Sequence, residues 1–275
     1  MMRGLVRVFD QRGQELSPCS MEKAQRLVAE GRARWRETQP PAIELAHAVD
    51  LPIREPEPEQ EPAPEYAGQR VLLHICCGPC ATYTVGRLRE LGFAVTGFWY
   101  NPNIHPWQEH ERRRESLLRF AEQVELPLVI QPGYEMPAFL RLVAGRERFR
   151  RRCAICYAVR LRAAAQQARA EGFDAFTTTL LISPYQEQEL IRRIGEHLAD
   201  KEGVRFYFED FRKGWAERGR LTRQYDLYRQ QYCGCVYSEW ERYQGEACET
   251  YAPARLEPAD LHAYFEEARE MLERL

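Results

Sequence analysis

Residues Arg70–Tyr100 read RVLLHICCGPCATYTVGRLRELGFAVTGFWY, and this order decides the architecture. Arg70–Ile75 is a short apolar run without polar alternation, the pattern of a strand covered on both faces. It passes through Cys-Cys-Gly-Pro-Cys into Pro79–Leu91, a helical stretch with proline at its start and Gly92 at its end. Ala94–Tyr100 is a second apolar strand. Strand, helix and strand of these lengths call for a right-handed crossover between parallel neighbours.

The same alternation continues downstream. Trp107–Val124 reads as a helix, Pro127–Gln131 as a strand and 135–144 as a helix. Ala154–Ala170 is a long alanine-rich helix ended by Gly172, and Asp174–Leu181 a strand with a β-branched threonine run. Tyr185–Lys201 reads as a helix, Val204–Glu209 as a strand, 211–235 as a partly helical excursion, and Pro258–Leu275 as an amphipathic helix. We expect an α/β fold, a doubly wound, mostly parallel sheet. Ligands of such sheets bind beyond the carboxyl ends of the strands. CCGPC, NPNIHP, SPYQ and DFRKG follow the first, second, fourth and fifth strands.

Upstream, residues 54–66 read REPEPEQEPAPEY, an extended acidic linker that neither packs nor holds a helix. The expected division is a small α+β module at 1–50, a linker at 51–68, the main domain at 69–245 and a helical extension at 246–275. In the module, Leu5–Asp10, Arg32–Glu37 and Ala42–Leu45 read as strands, and Arg12-Gly13 as a turn. A further turn is expected around Pro18 and Cys19, where Cys19 reads as a small buried residue. Ser20–Gly31 reads as a helix capped by Ser20 and ended by Gly31.

The net charge of −2 points to no partner. No apolar run is long enough to span a membrane, and MMRGLVRVFDQRGQEL holds no apolar signal core, so a cytoplasmic location is expected. Thiols stay reduced there, and clustered cysteines read as metal-binding or catalytic. Seven of the nine cysteines form three clusters: Cys76, Cys77 and Cys80; Cys153 and Cys156; Cys233 and Cys235. One zinc ion or one iron–sulfur cluster takes four ligands, so seven imply a cluster with a second metal or with a redox pair. A structural zinc site or a single dithiol explains fewer of them. CCGPC opens a helix, whose N-terminus favours thiolate. Adjacent Cys76 and Cys77 are expected to face opposite ways, as neighbours on a strand do. Between Arg141 and Arg162 lie eight arginines and one acid, Glu147. With so few acids nearby in sequence, this run suits a phosphate-bearing substrate. The Arg112–Arg114 run is equally well read as a solvated helix face.

The series LLHICCGPC, FWYNPNIHP, RCAICYAVRLRAAAQQA, GFDAFTTTLLISPYQ, DFRKG and YRQQYCGCVYS, spread over residues 70–240, resembles the cobalamin-independent epoxyqueuosine reductase family. The resemblance implies a PP-loop/HUP-like fold without ATP chemistry; no S-G-G-x-D-S or Walker loop follows the first strand. It implies reduction of epoxyqueuosine to queuosine at the tRNA wobble position, with loss of water. It also implies a 4Fe-4S cluster, a nearby second metal ion (iron or zinc), a tRNA partner and an external electron donor. Cys76, Cys77, Cys153 and Cys156 are the expected cluster ligands within a metal-binding set of all seven; spacing alone does not divide that set. The family tolerates aspartate at the last cysteine of the first motif, so Cys80 allows an all-sulfur second site here.

Tyr100, His105, Tyr185 and Asp210 are the candidate proton donors. The tyrosines would equally stack on an extruded base, His105 would equally be an ordinary hydrogen-bonded residue, and Asp210 would equally pair with Arg212. Arg150, Arg151, Arg152 and Arg212 are the candidate substrate contacts, the first three for anticodon-stem phosphates. Two rival readings are a PP-loop-like tRNA sulfur-transfer enzyme, which would need the missing ATP loop, and a zinc-stabilised RNA-binding module. Asp10, Gly13, Leu16, Pro18, Cys19 and Gly31-Arg32-Ala33 resemble the RRXRR-type domain of RNA-guided HNH nucleases. That likeness implies a nucleic-acid-associated accessory module; a packing domain without a function of its own fits equally.

Overall fold

The structure is a computed structural model that describes residues 5–49, 66–244 and 258–274. Residues 51–65 of the expected linker lie outside them. The chain forms two compact units, Met1–Glu59 and Gln60–Leu275.

The first unit contains β1 (Leu5–Phe9), β2 (Glu15–Ser20), α1 (Met21–Ala29), β3 (Ala33–Arg36) and β4 (Ala42–Leu45), with strand order β2-β1-β4-β3. Ser20 caps α1 by accepting the Lys23 N–H, and Gly31 takes φ +69°, where only glycine is unstrained. β2 replaces the turn expected around Pro18 and Cys19. Proline is tolerated because β2 is an edge strand whose pairing with β1 shifts register between Val6↔Cys19 and Val8↔Leu16, the stretch that holds Pro18. Val6, Val8, Cys19, Ala24, Ala33 and Ile43 make the core of this unit.

In the second unit β5 (Arg70–His74), α2 (Gly78–Glu90), β6 (Ala94–Trp99), α3 (Trp107–Gln123) and β7 (Leu128–Ile130) come first. They are followed by α4 (Met136–Val143), α5 (Arg151–Ala170), β8 (Ala175–Thr178), α6 (Gln188–Glu202) and β9 (Arg205–Phe206). The unit closes with α7 (Trp215–Gln224), α8 (Val236–Tyr243) and α9 (Pro258–Arg274). The sheet order is β7-β6-β5-β8-β9, and every pair is parallel. Val71, Leu72, Leu73, Phe98 and Phe176 are fully buried, as a sheet covered on both faces requires. The chain winds from β5 out to β7, then crosses to β8 on the other side of β5. The winding therefore reverses beside the cysteine loop after β5, the position at which open α/β sheets hold ligands.

Three local outcomes bear on the site. The strand expected over Asp174–Leu181 ends at Thr178, whose hydroxyl accepts the Leu180 N–H and starts a 3-10 turn at Thr179–Ile182; threonine hydroxyls compete with the ladder for backbone groups. The helix expected from Ala154 begins at Arg151, so Cys153 and Cys156 both sit on α5. Residues 236–243, just past the excursion, form α8. Among the described residues no helix is long and apolar enough to cross a membrane.

Gly195 on α6 faces the Phe206 ring of β9 so closely that an added methyl would overlap it. Overpacking of this kind costs about 1–3 kcal/mol, more than the ~1 kcal/mol of helix propensity that alanine adds. Gly195→Ala is expected to lower the denaturant midpoint.

Candidate metal centre

The first sulfur group forms where β5 gives way to α2. Cys77 is the N-cap of α2 in extended backbone, and Cys80 lies in the first turn. Gly78 lets the start of this helix approach α3: a Cβ there would sit 3.0 Å from the Ser116 carbonyl and hydroxyl oxygens. Cys76 is fixed from the turn that follows the neighbouring strand β8. Its N–H donates to Thr179 Oγ1 at 3.0 Å, and that hydroxyl donates to Cys76 Sγ at 3.3 Å. The Sγ atoms of Cys76, Cys77 and Cys80 lie within 4.8 Å of one another, with Cys76 and Cys77 3.8 Å apart. The expected opposition of Cys76 and Cys77 is therefore corrected, because the chain leaves the strand and turns into the helix between them. Metal–sulfur bonds of about 2.3 Å in a tetrahedron set sulfurs ~3.8 Å apart, so the triad fits one ion.

Its electrostatics fit as well. Hydrogen bonds from Cys77 and Cys80, then Thr179 and the charge of Arg160, hold the Cys76 thiol well below its usual range against the cost of burial. Burial and the Cys76 thiolate push Cys77 up to about 12, and bonding to Cys76 and Cys77 raises Cys80. Of the three, Cys76 is the thiol most readily ionised, and a metal ion would displace the protons that the others hold. Gln230 Nε2 donates to Cys77 Sγ at 3.0 Å.

The second group comes from two distant segments. Cys153 and Cys156 stand on the first turns of α5, while Cys233 and Cys235 flank Gly234 ahead of α8, with Cys235 as its N-cap. Gly234 has φ +151°, and a Cβ there would press on Ile104, Asn103 and Arg113. The NPNIHP loop and α3 hold this segment. The His105 N–H donates to Gly234 O at 2.8 Å, the Val236 N–H donates to His105 Nδ1 at 3.3 Å, and the Tyr232 hydroxyl donates to His105 O. Arg113 donates to Cys233 O at 2.8 Å and Tyr232 O at 3.0 Å, and pairs with Glu109 at 2.7 Å. Tyr228 closes this network by donating to Glu109 at 2.6 Å. Burial, then the neighbouring Cys233 and Cys235, push the Cys156 thiol up to about 12 and raise Cys153 as well. The exposed Cys233 accepts from Gln186 Nε2 at 3.7 Å, whose amide is oriented by the Tyr157 hydroxyl on Oε1 at 2.9 Å. Among the described residues, only Cys76, Cys77 and Cys80 crowd within the reach of one ion.

Arg160 joins the two groups. It is buried on α5 one turn beyond Cys156, and its charge acts on Cys156, Cys233 and Cys76, one sulfur from each motif.

The remaining candidates have other settings. His105 is buried with both ring nitrogens engaged, Nε2 donating to Pro102 O at 3.1 Å, so it serves as a pin for the cysteine loop. Tyr100 donates to Glu135 at 2.6 Å, and burial together with that bond raises its phenol. Tyr185 is 75% exposed and meets Trp215 edge-on. Asp210 accepts from Arg212 Nε at 2.8 Å and from its backbone N–H, and caps the turn at Phe211–Gly214. The hydrogen bonds from Arg212 hold that carboxyl below its usual range.

The arginine run does have acids, supplied by remote segments, and this corrects the expectation from sequence. Arg150 pairs with Glu187, Arg146 and Arg151 with Glu267, and buried Arg152 with Glu241. Arg148 is exposed. Thr179, Gln186 and Gln230 escaped the reading of the sequence; Arg113 and Arg160 entered it only as members of basic runs, and Arg113 is buried rather than on a solvated helix face. A signal existed for the two arginines: Arg113 is four residues from Glu109, and Arg160 four from Cys156, each on one helix face.

The family model described as epoxyqueuosine reductase QueH matches residues 71–241. The chain is similar to the epoxyqueuosine reductase QueH of Dehalococcoides mccartyi, 41% identical over 174 residues that cover 63% of this chain and 94% of that protein. It is also similar to its namesake in Thermotoga maritima, 37% identical over 185 residues, 64% of this chain and 94% of that one. A solved structure, the U34-tRNA thiolase NcsA from Methanococcus maripaludis with its 4Fe-4S cluster, aligns over 76% of this chain and 74% of its own at 12% identity and a TM-score of 0.40.

The Arg113–Glu109 pair is buried, whereas the Arg114–Glu111 pair beside it is partly exposed. Arg113→Met strands a buried carboxylate and is expected to cost about 3–5 kcal/mol in denaturant unfolding. Arg114→Met is expected to cost under ~1 kcal/mol.

Proposed function

This chain belongs to the epoxyqueuosine reductase QueH family, and on that premise we propose that it reduces the epoxide of epoxyqueuosine in a tRNA anticodon to the alkene of queuosine. The observation that carries the reading is the convergence of CCGPC, CAIC and CGC at the carboxyl edge of a parallel sheet. The reaction consumes two electrons and two protons, breaks both C–O bonds of the epoxide, forms the C=C bond and releases water. When bound, a cluster delivers electrons singly and a Lewis-acidic ion draws on the epoxide oxygen.

Sulfur spacing supports a division of ligands. Cys76, Cys77 and Cys80 would hold the single ion, iron or zinc; Cys153, Cys156, Cys233 and Cys235 would hold the 4Fe-4S cluster. This moves Cys76 and Cys77 out of the expected cluster set. Tyr100 keeps its proton through the neutral range and is tied to exposed Glu135, so it suits proton delivery to the leaving oxygen, with Glu135 as the relay to solvent. Asp210, held ionised by Arg212, suits a structural cap better than a proton donor. Tyr185 beside Trp215 suits stacking on an unpaired base. The acids on Arg150 and Arg152 shift the phosphate contacts toward Arg148 and the half-exposed Arg151. Electrons come from an external donor, and the protein works in a reducing, cytoplasmic setting.

Anaerobic protein incubated with epoxyqueuosine-bearing tRNA and a low-potential reductant should yield queuosine on nucleoside analysis; iron-loaded protein that yields none would overturn the reading. Cys80→Ser should lose about one metal equivalent while keeping its iron–sulfur absorbance, whereas Cys156→Ser should bleach it. Tyr100→Phe should leave iron and sulfide intact and slow turnover by about 10²–10⁴. Arg148→Gln should lower the slope of log affinity against log salt by about 1, read from tRNA binding across a salt series.

A further inference from the structure

Three arginines on the helices of the main unit are almost wholly buried: Arg113, Arg152 and Arg160. The first two follow the ordinary rule that a buried cation takes a carboxylate. Arg113 has Glu109, and Arg152 has Glu241. Arg160, 2% exposed, pairs with no carboxylate among the described residues. Its Nε donates to Cys156 O at 3.1 Å, and its Nη2 is buried without a partner. The Arg160 charge also acts on His74. That ring bonds Thr178 Oγ1 and Tyr100 O, and burial, together with the Arg160 charge, depresses it to about 3, so it offers no negative charge.

An uncompensated guanidinium in this setting would cost several kcal/mol. The groups able to offset it are sulfurs. Its field reaches Cys156, Cys233 and Cys76, which belong to both proposed ligand sets. We propose that Arg160 is the shared counter-ion of the two metal centres, a positioning residue that neutralises their thiolates and sets how readily the cluster accepts an electron. The inference rests on the two-centre reading above and adds a charge to it. A cation beside a cluster favours the reduced form, because reduction adds negative charge there.

The test uses the full chain, loaded anaerobically with iron and sulfide, as parent, Arg160→Gln and Arg160→Lys. Iron and sulfide content of the parent decides the two-centre reading by itself. Cluster potentials are then measured by redox titration followed by electron paramagnetic resonance. At equal iron and sulfide content, Arg160→Gln should shift the one-electron equilibrium at least tenfold toward the oxidised state, about 59 mV, and Arg160→Lys should recover most of that shift. A second measurement covers variants that load poorly: the rise in melting temperature between metal-free and loaded protein, which should be smaller for Arg160→Gln than for the parent. An unchanged potential, an equal gain on loading, or an Arg160→Gln chain that fails to fold even without metal would each mark Arg160 as a packing residue and overturn the proposal.

Discussion

The buried ion pair between Arg113 and Glu109 is the constraint on which the sulfur geometry depends. One guanidinium spans α3 and the Cys233 segment, taking a carboxylate from its own helix and two carbonyls from a loop more than a hundred residues away. Charge-assisted bonds of this kind are strong where water is excluded. Without them the loop carrying Cys233 and Cys235 would be held mainly by His105 and the Tyr232 hydroxyl. The pair therefore decides whether the CGC sulfurs face those on α5.

Much of this protein was legible before any coordinates. Arg70–Ile75 and Ala94–Tyr100 announced themselves because strands buried on both faces must be continuously apolar, and the observed β5 and β6 lie within those bounds. Ser20 and Gly31 marked α1 because caps are local chemistry. The cysteines were legible because their rarity and reactivity leave few reasons to cluster. What escaped was of another kind. β2 was hidden by Pro18, whose tolerance depends on an edge position that only pairing reveals. The end of β8 was hidden by threonine, which favours strands through its branching and leaves them through its hydroxyl. The acids of the arginine run come from Glu187, Glu241 and Glu267, and no linear window contains them with their partners.

The site also separates cysteine roles by backbone context. Cys77 and Cys235 both occupy N-cap positions, and neither uses its side chain to cap its helix. At each position a sulfur stands where backbone N–H groups and the helix dipole favour negative charge. Cys153 and Cys156 lie within the first turns of α5. Four of the sulfurs thus stand at the N-terminal ends of three helices, and burial still outweighs the helix field at Cys77, Cys153 and Cys156, which keep their protons until a metal displaces them.

Helix α5 presents Cys153, Cys156 and Arg160 at intervals of three and four residues along one stripe. That register makes the segment intolerant of length change. One residue inserted between Cys156 and Arg160 would rotate everything beyond it by about 100° and swing the guanidinium away from the sulfurs. Relatives of this chain should therefore keep the 153–160 interval free of gaps while varying in length past Ala170, where the helix has nothing left to aim.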